Sequence, residues 1–195
     1  MKAFLIETVK TVAGAVIIVV VLKVSGLLPT VTQAAQSAVI YSGLVNASDE
    51  QLADKENFNY DFTVKNLEGN RMPMSSLEGK VIFLNLWATW CGPCRAEMAS
   101  IQKLYDRLDK TNIQFVMLSI DRDEDAAKVV SYINGREFTF PVFMPSGMLT
   151  DQTDVPSIPT TFIISKSGEI VSKKVGTTNF NTDKFKTFLE KLAAE

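Results

Sequence analysis

Both cysteines of this 195-residue chain stand three positions apart, as Cys91 and Cys94 in the stretch NLWATWCGPCRAEMASI, residues 85–101. Thiols at this spacing can hold a metal, staple a loop or exchange electrons as a dithiol. A structural zinc or an iron–sulfur cluster normally takes four ligands, and the chain offers no third cysteine and no histidine. A staple here would close a loop of a few residues, where loop-closure entropy stabilises least. A redox pair makes chemical sense of the placement.

Cys91 follows an apolar run and opens a helical pattern. Unpaired N–H groups and the positive end of a helix dipole favour a thiolate at that position, and the thiolate is the attacking species. Gly92 lets a client backbone approach, and Pro93 is tolerated in a first helical turn. Cys94, one turn on, joins the apolar stripe. Cys91 is therefore expected to attack a disulfide and Cys94 to resolve the mixed intermediate, with no metal or organic cofactor.

The surrounding residues carry further expectations. Glu97 lies about 60° from Cys94 on a helix wheel. It is either a partly buried carboxyl that relays a proton to Cys94 or a solvated first-turn acid. Trp90 is expected to shield the sulfur and contact substrate, Trp87 to be core, and Arg95 to be a solvated charge. The missing histidine excludes Ser–His–Asp and Cys–His systems, and a net charge of −2 without a basic cluster excludes a general nucleic-acid role.

The elements that must position these residues read as βαβα followed by ββα. A small hairpin turns at Glu68-Gly69-Asn70, and continuous apolar runs at 81–89 and 113–120 predict interior strands. The stripe of Cys94, Met98, Ile101, Tyr105 and Leu108 predicts an amphipathic helix. Asp121 and Glu124 suggest a capping box for a helix running to Gly135. Strands at 161–165 and 170–176 form a hairpin, and a helix covers about 182–194.

Ahead of this domain, residues 1–28 read as a membrane anchor, with a cleavable signal peptide as the rival reading. Thr11 to Leu22 carries no charge, Lys23 can snorkel, and Pro29 is expected to close the span 11–28. Lys2 and Lys10 before it, with Asp49, Glu50 and Asp54 after it, place the amino terminus in the cytoplasm and the rest outside. Residues 29–57 read as a tether with a short helix over 33–44, and residues 58–195 as the domain.

WCGPC resembles the thioredoxin active site, and FLNLWATWCGPCRAEM is more similar still to the membrane-tethered TlpA/ResA-type thiol–disulfide oxidoreductases, over about residues 58–192. The resemblance implies a thioredoxin-like α/β fold with a mixed central sheet flanked by helices, here preceded by a transmembrane helix. It implies that Pro159, in SIPTTFII, is cis and packs against the cysteines, where the sequence alone gives an ordinary strand-start proline. Ile158 and Thr160 would then offer backbone groups to an extended client. It also implies an active-site role for Glu97. Asn85 departs from thioredoxins, which carry a buried aspartate there, and Glu97 is expected to assume part of that role.

The implied activity is reduction of disulfides in exported proteins, including apocytochromes, by a catalyst that a separate membrane electron donor recharges. Two other readings stay open. A thiol peroxidase would want P-x-x-x-[ST]-x-x-C, which Thr89 does not complete, and a tethered redox-sensing module would use the dithiol as a switch.

Overall fold

The computed structural model describes residues 2–26, 31, 38–40 and 42–195, which divide into two compact units, 1–38 and 39–195. In the first, α1 (Lys2–Val24) is a continuous helix whose valines and isoleucines from Val12 to Val24 are exposed. It ends earlier than expected. Gly26 takes φ +70°, its N–H donates to the Lys23 carbonyl, and Ser25 N–H donates to Val21. A glycine in the left-handed region closes a helix this way, and Pro29, the expected end of the span, lies outside the described residues. Among the described residues no helix is long and apolar enough to cross a membrane. Most of the helix expected over 33–44 lies outside the described residues.

The second unit is built on one mixed sheet. Its strands are β1 (Glu56–Asn57), β2 (Thr63–Asn66), β3 (Arg71–Pro73), β4 (Val81–Trp87), β5 (Ile113–Ser119), β6 (Val142–Pro145), β7 (Thr160–Ile164) and β8 (Glu169–Val175), in the order β1-β8-β7-β4-β5-β6-β2-β3. β4 pairs parallel with β5 and antiparallel with β7, so the strand ahead of the cysteines is central. All seven of its residues are buried, as a strand covered on both faces requires. Alternation then decides which side chain meets which layer. Val81, Phe83 and Trp87 join a cluster with α2 (Gly92–Arg107) and α4 (Asp183–Ala194), while Ile82, Leu84 and Leu86 pack with Phe58, Phe62 and Met74 on the other face. Asn85 falls on the α2 face, between Phe83 and Trp87.

Two strands escaped the sequence reading. β1 is only two residues long, and β6 sits in a proline-flanked stretch with no clear alternation. The helix expected from Asp121 begins later. A 3-10 turn covers Asp123–Asp125, α3 runs Ala126–Asn134, and the proposed capping box does not form because Asp121 is engaged elsewhere. The later part of the stretch expected as a tether lies on the domain: Ala47 N–H donates to Asn179 and Leu52 N–H to Val171.

Candidate active site

β4 delivers the chain through Ala88, Thr89 and Trp90 to Cys91, which is the N-cap of α2. Cys94 N–H donates to Cys91 Sγ at 3.1 Å, the position a serine or aspartate oxygen takes in an ordinary cap. The two sulfurs are joined in a disulfide. Cys91 is 6% exposed and Cys94 wholly enclosed. Pro93 occupies the first turn of α2, where no N–H is needed.

Beside the pair, the Ile158–Pro159 peptide is cis, and the Ile158 carbonyl oxygen lies 3.8 Å from Cys91 Sγ. Gly176 N–H donates to the Pro159 carbonyl at 2.9 Å. Thr160 is less available than expected. It is buried, paired in register with Leu86 of β4 and Val175 of β8, and its Oγ1 donates to the Ser157 carbonyl at 2.8 Å. Trp90, at 68% exposed, stands out from the surface next to Cys91; Trp87 is core. The Arg95 guanidinium lies 5.5 Å from the centre of the Tyr132 ring, a stacked cation and not a free one.

Glu97 is buried, which removes the solvated alternative. Its Oε1 accepts from Asn85 Nδ2 at 2.8 Å and its Oε2 from Thr178 N–H at 3.0 Å. Burial pushes its pKa up to about 8, and those two donors only partly offset the cost of desolvation. Asn85 also donates to Thr161 Oγ1 at 2.8 Å, so both amide hydrogens are used on β7 and α2 neighbours. Cys94 and Glu97 are i, i+3 neighbours on one helix face, both inward.

A second carboxylate was missed from sequence. Asp121, at the end of β5, accepts from Thr89 N–H at 2.8 Å, Thr89 Oγ1 at 2.6 Å and Ser119 Oγ at 2.6 Å. It ties the loop that carries Cys91 to the neighbouring parallel strand. The available signal was topological: side chains at the carboxyl ends of adjacent parallel strands converge. Thr178 had none, because it acts through its backbone from the loop after β8.

Compared with known proteins, residues 57–173 match the AhpC/TSA family model. The chain is 33% identical over 138 residues to a thiol-disulfide oxidoreductase ResA of Bacillus cereus, covering 70% of this chain and 78% of that one. Among solved structures, a thioredoxin-like protein from Porphyromonas gingivalis is 28% identical with a TM-score of 0.56, covering 72% of this chain and 95% of that one. StoA from Bacillus subtilis, at 23% identity and a TM-score of 0.53, covers 70% and 97% and speaks for the fold alone.

Proposed function

The chain belongs to the AhpC/TSA family and is a ResA-like thiol–disulfide oxidoreductase; from that premise we propose that it reduces disulfides of exported proteins, apocytochromes among them. The observation that carries this reading is Cys91, 6% exposed and capping α2 through its Sγ, with an enclosed Cys94 and a buried Glu97 on the same helix. In the reduced enzyme the Cys91 thiolate attacks one sulfur of the client disulfide, and the other client sulfur leaves as a thiolate that takes a proton. Cys94 gives its proton to Glu97 when that carboxyl is ionised, the minor form at neutral pH, and attacks Cys91 Sγ. The second client sulfur leaves, and two electrons have passed to the client.

The reverse half-reaction recharges the enzyme. A donor thiolate attacks Cys91 Sγ, Cys94 leaves and takes the proton back from Glu97, and the donor's second thiolate attacks the donor sulfur of the mixed disulfide so that Cys91 leaves as a thiolate. A carboxyl with a pKa of about 8 is mostly protonated at neutral pH, so in the disulfide form it is set to act as an acid. With two cysteines the chain has no internal relay, and the donor is a separate dithiol protein at the membrane. α1 serves as the export segment through its uncharged run from Thr11 to Leu22. This rests on the apolar character of that run and on the lysines at either end of it.

The test pairs two variants of the full chain. Cys91→Ser should abolish reduction of insulin disulfides by added dithiol, and Cys94→Ser should retain clients on Cys91 as mixed disulfides in the envelope fraction. A Cys91→Ser protein that still catalyses the reaction contradicts the assignment. The peroxidase reading has no support at Thr89, whose hydroxyl donates to Asp121.

A further inference from the structure

We propose that residues 45–47, between the export segment and the sheet, are a positioning clamp for Glu97, acting through the loop 176–180. This rests on the reading of Glu97 as the proton partner of Cys94. The loop follows β8 and touches each part of the site in turn. Gly176 N–H donates to the Pro159 carbonyl, Thr177 Oγ1 donates to the Pro93 carbonyl at 3.4 Å, and Thr178 N–H donates to Glu97 Oε2 at 3.0 Å. Ser100 Oγ accepts from Phe180 N–H at 3.2 Å, which fastens the far end to α2.

On its outer side the loop is held by the chain entering the domain. Asn46 forms a parallel bridge with Asn179. Asn179 N–H donates to the Val45 carbonyl at 2.8 Å, Ala47 N–H donates to the Asn179 carbonyl at 2.9 Å, and Asn179 Nδ2 donates to Asn46 Oδ1 at 2.8 Å. Three hydrogen bonds thus converge on Asn179, the residue directly after the donor to Glu97. Ala47 is 4% exposed and joins the α2-face cluster, so the clamp also closes that side of the core.

The consequence follows from what raises the proton affinity of Glu97. From β4 it is faced by Asn85, from the loop by Thr178 and on its own helix by Cys94. Burial is the leading cause of its raised pKa, and no lysine or arginine contributes. Releasing the loop admits water to the carboxyl, and hydration favours the charged form more than the loss of one N–H disfavours it. The clamp therefore keeps Glu97 protonated at neutral pH. Since residues 45–47 continue from the export segment, the same contact joins the tether to the redox site.

The experiment uses the full chain in its disulfide form, with Ala47→Pro, which lacks the N–H donor, and Asn46→Ala, which loses only the side-chain bond. The Glu97 carboxyl is followed by carbon NMR, its signal identified by its absence in Glu97→Gln. That titration needs no turnover, so it reads the clamp even if the client assignment is wrong. The expected result is a fall in the Glu97 midpoint of about one pH unit in Ala47→Pro, with a smaller fall in Asn46→Ala. A midpoint that stays at the wild-type value, or rises, in folded Ala47→Pro overturns the proposal. Should Ala47→Pro fail to fold, an unmoved midpoint in Asn46→Ala overturns it.

Discussion

Asn85 Nδ2 donates to Glu97 Oε1 at 2.8 Å, so a neutral amide on the central strand meets the buried carboxyl of the site. A carboxylate at residue 85 would instead set two acids in contact, and like charges that close cannot both ionise. The amide lets Glu97 lose and regain its proton as a single group.

Asn85→Asp tests this. The two carboxyls should hold one proton between them to higher pH than Glu97 alone does. The pH dependence of the Cys94-dependent resolving step, followed by release of a chromogenic client thiol, should move upward. A profile superimposable on wild type would mean that Asn85 does not tune Glu97.

Glu97→Gln removes the proton exchange while keeping the shape. Turnover with protein disulfides should fall about ten- to hundredfold, and the inflection near pH 8 should disappear. An inflection that persists in the variant would assign it to another group.

The same carboxyl links stability to pH. Its folded pKa of about 8 lies above the unfolded value, so between roughly pH 4.5 and 8 the folded state binds more protons than the unfolded one. Stability of the disulfide form should therefore fall as pH rises through that window, with a slope of at most ~1.4 kcal/mol per pH unit from this group. The slope should level off above pH 8 and be reduced in Glu97→Gln. Urea unfolding across the window reads it directly, and equal slopes in both proteins would contradict the burial argument.

Asp121 acts by geometry. An asparagine can accept from Thr89 N–H and Ser119 Oγ through Oδ1 and donate to Thr89 Oγ1 through Nδ2, whereas an alanine leaves these groups unpaired. Asp121→Asn should reduce a small disulfide within about twofold of wild type, while Asp121→Ala should slow about tenfold and lose ~1–3 kcal/mol of stability. If Asp121→Asn is as slow as Asp121→Ala, the charge matters and the positioning account is wrong.

The parts of this molecule legible from sequence are those with a periodic or motif signal. β4 shows as an unbroken apolar run, α2 as a stripe from Cys94 to Leu108, and the redox pair as the only cysteines at a helix start. Pro159 was visible as a residue, but its cis bond came only through family resemblance. What stayed hidden acts across long separations or through the backbone. Asp121 looked like a helix cap because local spacing cannot show that Thr89, 32 residues earlier, takes its oxygens. The role of Thr178 depends on an N–H, which any residue but proline supplies. The segment 45–47 read as spacer because its pairing with Asn179 bridges 133 positions.

All of this chemistry starts from a thiolate at the head of α2. The direct measurement is the pH dependence of Cys91 alkylation in Cys94→Ser, where the Cys91 thiol is free and the backbone N–H of residue 94 remains. The account predicts a midpoint at least ~1 pH unit below the ~8.5 of a free cysteine. A midpoint at or above that of an unstructured peptide would contradict it.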